Sequence, residues 1–216
     1  MLLLSSTVFA KFDYTKITGG LYTKYPLTTG IDLTYDLQND TFFNLQYGIA
    51  PEGYMTQMGG ILENWDWWDP FFTNLIEALL TGMKGYTFSF GKNGFRNHPN
   101  CFIKFGAAFY NLDYNSLTNE LLEDVLGVTF PDISREVSAR GNLAALSVSV
   151  GRRFQLKKNW ELTTSVNLHK IMSVYVVTES ETIINDSLSY ELSKWFNENL
   201  EGLYLPTFTA AIKYKF

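Results

Sequence analysis

The stretch Thr207-Phe208-Thr209-Ala210-Ala211-Ile212-Lys213-Tyr214-Lys215-Phe216 decides the fold. Phe208, Ala210, Ile212, Tyr214 and Phe216 occupy every second position, and Thr207, Thr209, Ala211, Lys213 and Lys215 fill the gaps. Side chains along a strand point to opposite faces in turn, so this is a strand with one apolar and one polar, basic face. The same period recurs upstream. Ile31, Leu33, Tyr35 and Leu37 alternate with Asp32, Thr34 and Asp36, and Phe43, Leu45, Tyr47 and Ile49 with Asn44, Gln46 and Gly48. Tyr86, Phe88 and Phe90 alternate with Thr87, Ser89 and Gly91, and Ile103, Phe105, Ala107 and Phe109 with Lys104, Gly106, Ala108 and Tyr110. Leu146, Val148 and Val150 alternate with Ser147, Ser149 and Gly151, and Thr164, Val166 and Leu168 with Ser165, Asn167 and His169. A first strand around Lys16–Tyr25 brings the count to eight.

The connections carry as much information as the strands. Short ones fall at Gln38–Asp40, Lys92–Asn100 and Leu156–Asn159, and long ones span about Ala50–Gly85, Leu112–Ser138 and Val177–Tyr204. Short and long alternate, so the long ones share one end; only Pro26–Gly30, at that same end, is brief. Short turns at one end and long loops at the other are the pattern of a barrel inserted in an outer membrane. Charge sorts in the same way. The three long loops hold 17 of the 22 acidic residues and three basic ones, a net of −14, and the rest of the chain carries +9. The expectation is a basic barrel with an acidic crown.

Length and composition agree. The 216 residues suit a single domain, and 16% aromatic content excludes a disordered chain. A net charge of −5 argues against a nucleic-acid binder working through a basic face. The lone Cys101 excludes an internal disulfide framework, and no Cys/His cluster has metal-ligand spacing, so neither a metal nor any other cofactor is expected. Met1–Ala10, MLLLSSTVFA, is too short to cross a bilayer as a helix. It reads as the remnant of a secretory signal peptide, with residues 11–216 forming one barrel domain, or as an apolar start to the first strand.

The terminal Phe216, the alternating residues before it and the eight strands together resemble the small outer-membrane β-barrel proteins of Gram-negative-type bacteria, the OmpA, OmpX and OmpW kinds. The tyrosine- and asparagine-rich composition resembles outer-membrane proteins of Bacteroidota. The resemblance implies an eight-stranded antiparallel up-and-down transmembrane β-barrel, integral to the bacterial outer membrane and surrounded by its lipid and lipopolysaccharide. It also implies that Tyr214 and Phe216 belong to the signal read by the barrel-assembly machinery.

Apolar faces toward lipid put the polar faces in the lumen, and the inward set includes Lys16, Lys24, Asp32, Asp36, Lys104, Arg153, Glu161, His169, Lys213 and Lys215. Eight strands leave a lumen that side chains fill, so a packed network of paired charges is the plainer reading. A narrow gated pore or an anion site is the alternative. Inward glycines, Gly20, Gly48, Gly91, Gly106 and Gly151, are expected to make room for the long basic side chains. Phe90, Phe154, Trp160, Tyr214 and Phe216 suit a lower interfacial girdle, and Tyr47, Tyr86 and Phe109 an upper one. Lys170 and Arg140 break the apolar face at the outer rim, where long cations snorkel and lipopolysaccharide phosphates lie.

Each long loop carries an amphipathic, helix-like segment, a departure from small barrels that extend their loops as hairpins. The first follows Asp69-Pro70 and has Phe71, Phe72, Leu75, Ile76, Leu79, Leu80 and Met83 at helical spacing. The second is Asn115–Leu126 and the third Ser187–Glu201, the latter with Trp195 and Phe196. Trp65, Trp67, Trp68, Phe71, Phe72, Leu75, Leu79, Trp195 and Phe196 are the candidate loop binding surface, because so many large apolar groups outside the membrane need cover. That cover is the loops themselves, the outer leaflet, or an envelope partner protein.

Signs of catalysis are sparse. The lipid A deacylases of this barrel class carry Ser two residues after a strand His; here Lys170 and Ile171 follow His169, and Ser173 comes four residues on, on the same expected face. There is no Gly-rich phosphate loop. The sequence therefore predicts a non-enzymatic barrel that binds a partner, lipid or hydrophobic ligand through its loops. A small pore with a loop lid, a lipid-modifying enzyme and a soluble lipocalin-like barrel are the alternatives.

Overall fold

The computed structural model describes residues 13–37, 39–51, 53–54, 82–94, 98–117, 137–179 and 200–216, together with Tyr190, Lys194 and Glu198. Met1–Ala10, the tryptophan-rich segment of the first loop with its Phe71, Phe72, Leu75 and Leu79, and Trp195 and Phe196 lie outside the described residues.

Eight strands follow one another: β1 (Ile17–Tyr25), β2 (Thr28–Asp36), β3 (Thr41–Ile49), β4 (Lys84–Asn93), β5 (Cys101–Leu117), β6 (Val137–Lys157), β7 (Trp160–Glu179) and β8 (Tyr204–Lys215). Each pairs antiparallel with its successor, and β8 returns to β1 with Thr18 opposite Lys215 and Tyr25 opposite Phe208, closing the barrel. Closure leaves every barrel strand with two neighbours, so its backbone groups need no water.

Turn chemistry fixes the lower end. Asn39 and Asp40 both have φ of 58°, the left-handed conformation that Asn and Asp tolerate best among residues with a side chain, and Leu37 N donates to Thr41 O to close the turn. Lys158 and Asn159 form the two-residue turn between β6 and β7. At the upper end the β1–β2 connection is only Pro26 and Leu27.

Burial is inverted relative to a soluble barrel. Along β3 and β4 every second residue is buried, and all but Phe42 of these are polar or small; the exposed ones between are apolar except for Lys84 and Lys92 near the ends of β4. Leu21, Ile31, Phe88, Phe105, Val166 and Ile212 are each more than half exposed, and they belong to a belt that runs round the whole wall. No soluble surface carries an apolar band of that extent. In lipid it is the favoured exterior, with Trp160, Tyr214 and Phe216 stacked edge-to-face at its lower margin and Tyr47 and Tyr86 paired, 4.9 Å between ring centroids, higher up.

The strands differ in length. β1 to β3 have 9 residues each, about one membrane crossing, whereas β5, β6 and β7 have 17, 21 and 20. The extra length projects beyond the upper rim as a three-stranded extension: Leu117 pairs with Val137, and Ser138 with Glu179. The second and third long loops are shorter than expected, because their ends continue the strands. Asn115–Leu117, expected to open a helix, belong to β5 instead. Leu117, Leu121 and Leu122 fit a helical stripe, but Asp, Asn and Ser near its start favour helix weakly, and pairing with β6 satisfies the backbone at once.

A bulge breaks the period of β7. Ala145 faces Ile171 and Ala144 faces Ser173, which leaves Met172 as the extra residue. Ser173 is thereby turned to the outside, not to the face of His169 where strict alternation placed it.

Candidate functional site: the barrel lumen

The interior has three levels. The middle level is polar and built round Asp32, the buried carboxylate of β2. Lys213 Nζ lies 2.6 Å from its Oδ1, which also accepts from Asn44 Nδ2 at 2.9 Å and Thr34 Oγ1 at 3.2 Å. Gln46 Nε2 donates to Oδ2 at 2.7 Å. Lys213 donates again to Thr34 Oγ1, and Lys104 Nζ donates to Asn44 Oδ1 at 3.1 Å. Strands from opposite sides contribute to this cluster, so it ties the walls together. A second set joins β7 to β8: Asn167 Nδ2 donates to Thr207 and Thr209, and Ser165 donates to Asn167 Oδ1. His169 is buried beside it, its Nε2 3.3 Å from Thr207 Oγ1.

The lower level is an aromatic floor. Phe42 and Phe102 point inward and meet edge-to-face at 5.8 Å. The Arg153 guanidinium covers Phe42 at 4.5 Å, is paired with Asp36 at 3.4 Å and has its Nε 4.0 Å from Glu161. A cation over an aromatic face, held by carboxylates on either side, lies over the floor at the short-turn end of the barrel.

The upper level is apolar. Leu27, Met83, Leu112, Leu143, Ile171, Val174 and Leu200 are buried there, drawn from the β1–β2 turn, the ends of the first and third loops and the strands of the extension. Gly82 and Gly202, beside Met83 and after Leu200, take φ of 75° and 84°, the left-handed conformation that turns the chain from loop into strand. Tyr54 Oη bonds Thr23 and Thr29 across the short turn, anchoring the start of the first loop.

Several expectations change at this level of detail. The inward glycines make room for rings, not for lysines. A Cβ on Gly91 would stand 2.3 Å from Phe42 Cζ, one on Gly151 2.4 Å from Phe102 Cζ, and one on Gly48 2.6 Å from Tyr22 Oη. Gly20 and Gly106 instead allow close approach of a neighbouring strand's backbone. Phe42 and Phe102 escape a reading by polarity, which assigns phenylalanine to the lipid face, although the alternation puts them in phase with Asn44 and Lys104. Lys16 stops short of β1, in a 3₁₀ turn held by Asp13, and Lys215 is exposed beyond the lower end of the lumen. Lys24 is deep inside, its Nζ donating to Thr87 Oγ1 at 2.9 Å. The lumen proper therefore holds Lys24, Lys104, Lys213 and Arg153 against Asp32, Asp36 and Glu161. Lys170 is on the outer rim, its ammonium 5.8 Å from the Tyr204 ring.

Between the floor and the polar cluster lies a cavity of about 10 Å³, lined by Asp32, Gln46, Lys104, Arg153, Lys213 and neighbouring hydroxyls. That is room for about one water-sized particle.

No protein-family model and no curated protein matches the chain. Among solved structures it is similar to CarO2 of Acinetobacter baumannii, at 14% identity over 93% of this chain and 98% of that one, with a TM-score of 0.40. It is also similar to CarO of Acinetobacter baumannii (11% identity, 92% and 97%, TM-score 0.41) and to a major outer membrane protein of Thermus thermophilus (11%, 92% and 99%, TM-score 0.43). The compositional likeness to Bacteroidota gains no support from these neighbours. The barrel's own physics settles where it resides. An even-numbered closed barrel with an apolar belt, aromatic girdles, a polar interior and short turns at one end belongs in an outer membrane. The chain is an integral outer-membrane β-barrel.

Proposed function

We propose that the protein is a non-enzymatic outer-membrane barrel that acts at its extracellular face, its loops binding a partner protein, a lipid or a hydrophobic ligand. The filled lumen carries this reading. Among the described residues an aromatic floor, a cross-strand polar cluster and an apolar ceiling succeed one another along the axis, which favours a filled lumen over a channel. Function then falls to the loop end of the barrel, to which the sequence assigns the acidic loops with Trp65, Trp67, Trp68, Phe71 and Phe72, and the rim cations Lys170 and Arg140.

The surroundings of the lumen histidine support the non-enzymatic part. His169 is buried against Thr207 and Tyr110, and Ser173 faces away from it, so these two residues do not assemble a nucleophile and its base. Outer-membrane lipid and lipopolysaccharide are the constant surroundings, and Tyr214 and Phe216 serve the barrel-assembly machinery during insertion.

The test is a deletion of residues 60–81. Met83 belongs to the buried ceiling and Lys84 to β4, so the cut must end before them. The shortened protein should fold and insert, and should lose whatever protein, lipid or small molecule the intact protein retains on gentle extraction. Retention of every companion by the deletion would sink the loop-binding reading.

A further inference from the structure

Four cations, Lys24, Lys104, Lys213 and Arg153, stand in the lumen against Asp32, Asp36 and Glu161, and three of the four line one cavity. Lys213 is matched by Asp32, and Arg153 by Asp36 and Glu161. Lys104 lines the same cavity, is 6% exposed, and among the described residues has no carboxylate within ion-pairing distance; its bond is to the neutral Asn44 Oδ1. Asp32 attracts the Lys104 ammonium but is bonded to Lys213, and a buried ammonium with one neutral hydrogen-bond partner is costly unless a further acceptor meets it.

We propose that the cavity between Lys104, Lys213 and Arg153 binds a single halide-sized anion. Three cations face it, and Thr163, Ser165 and Thr209 add hydroxyls to the wall. Asp32 also lines the cavity, but both of its oxygens are engaged: Oδ1 by Lys213, Asn44 and Thr34, and Oδ2 by Gln46. Volume sets the chemical class. A space of about 10 Å³, room for one water-sized particle, is too small for phosphate, sulfate or carboxylates and leaves a monatomic anion as the class to test. The ion supplies Lys104 with an acceptor beyond Asn44 and acts as a structural ligand of the polar cluster. Lys24 is an internal comparison, because it is as deeply buried but does not line the cavity.

The experiment uses the full-length protein folded in detergent. Its thermal unfolding midpoint is followed as chloride or bromide replaces gluconate at constant ionic strength, and crystals grown in bromide are examined for anomalous scattering. A saturable rise in the midpoint and a bromide peak beside Lys104 Nζ are expected. K104M should lose the peak and weaken the halide dependence roughly tenfold to a hundredfold, the loss of one charged hydrogen bond. K24M should keep both. If K104M does not fold, the wild-type peak position decides alone. A midpoint indifferent to halide, a peak elsewhere, or equal loss in K24M and K104M would each overturn the proposal.

Discussion

Removing Asp32 is the most informative single perturbation of the lumen. Its carboxylate takes the Lys213 ammonium at 2.6 Å and bonds from Asn44, Thr34 and Gln46. Substituting Asp32→Leu leaves Lys213, itself 5% exposed, without its counter-charge and strips three donors of their acceptor. Breaking one side of a buried ion pair costs about 3–5 kcal/mol, roughly two to four powers of ten in the folding equilibrium. Removing both charges in D32L/K213M should recover much of that, because the uncompensated ammonium is gone and apolar replacement of a buried pair is often near neutral. Urea unfolding in lipid vesicles, read by the electrophoretic shift between folded and unfolded barrel, gives all four corners of the cycle. A D32L cost below about 1 kcal/mol, as for an exposed pair, would refute the buried-cluster account. So would a double variant whose cost is the sum of the two single ones.

The remaining predictions concern the packing and the wall. Gly151→Ala should destabilise more than Gly91→Ala, because at 151 the new methyl meets the Thr164 carbonyl oxygen at 2.4 Å as well as the Phe102 ring, whereas at 91 its three nearest atoms all belong to the Phe42 ring. The G91A cost, about 1–3 kcal/mol in the same unfolding assay, should shrink when Phe42 is also shortened to leucine. On the lipid face, Val166→Arg near mid-membrane should cost about 2–4 kcal/mol and Leu156→Arg near the lower turn about 0–1; equal costs would contradict the assigned depth. Deleting Phe216, whose ring touches Tyr214, should lower insertion in cells far more than refolding of purified chain into vesicles.

Much of the barrel was legible because lipid and lumen impose opposite demands on neighbouring residues. The run from Thr207 to Phe216 is readable on sight, and so are the inward positions of Asp32, Lys104, His169 and Lys213. What escaped has a common physical cause: these features depend on neighbours across strands, which periodicity does not see. Phe42 fits the lumen only because Gly91, on the facing strand, has no side chain. The outward turn of Ser173 follows from one unpaired residue at Met172. The length of β5 and β6 was hidden because leucines four apart suit a helix as well as a strand. Which cation pairs with which carboxylate was also beyond reach, since Arg153 and Asp36 are brought together only by closure of the barrel.

The central claim is a sealed barrel whose work is done outside the membrane. Single-channel recording of the intact protein in planar bilayers tests it most directly. The filled lumen predicts a baseline with no conductance steps; reproducible, ohmic steps from the folded protein would show an open path through the floor and ceiling and contradict the account.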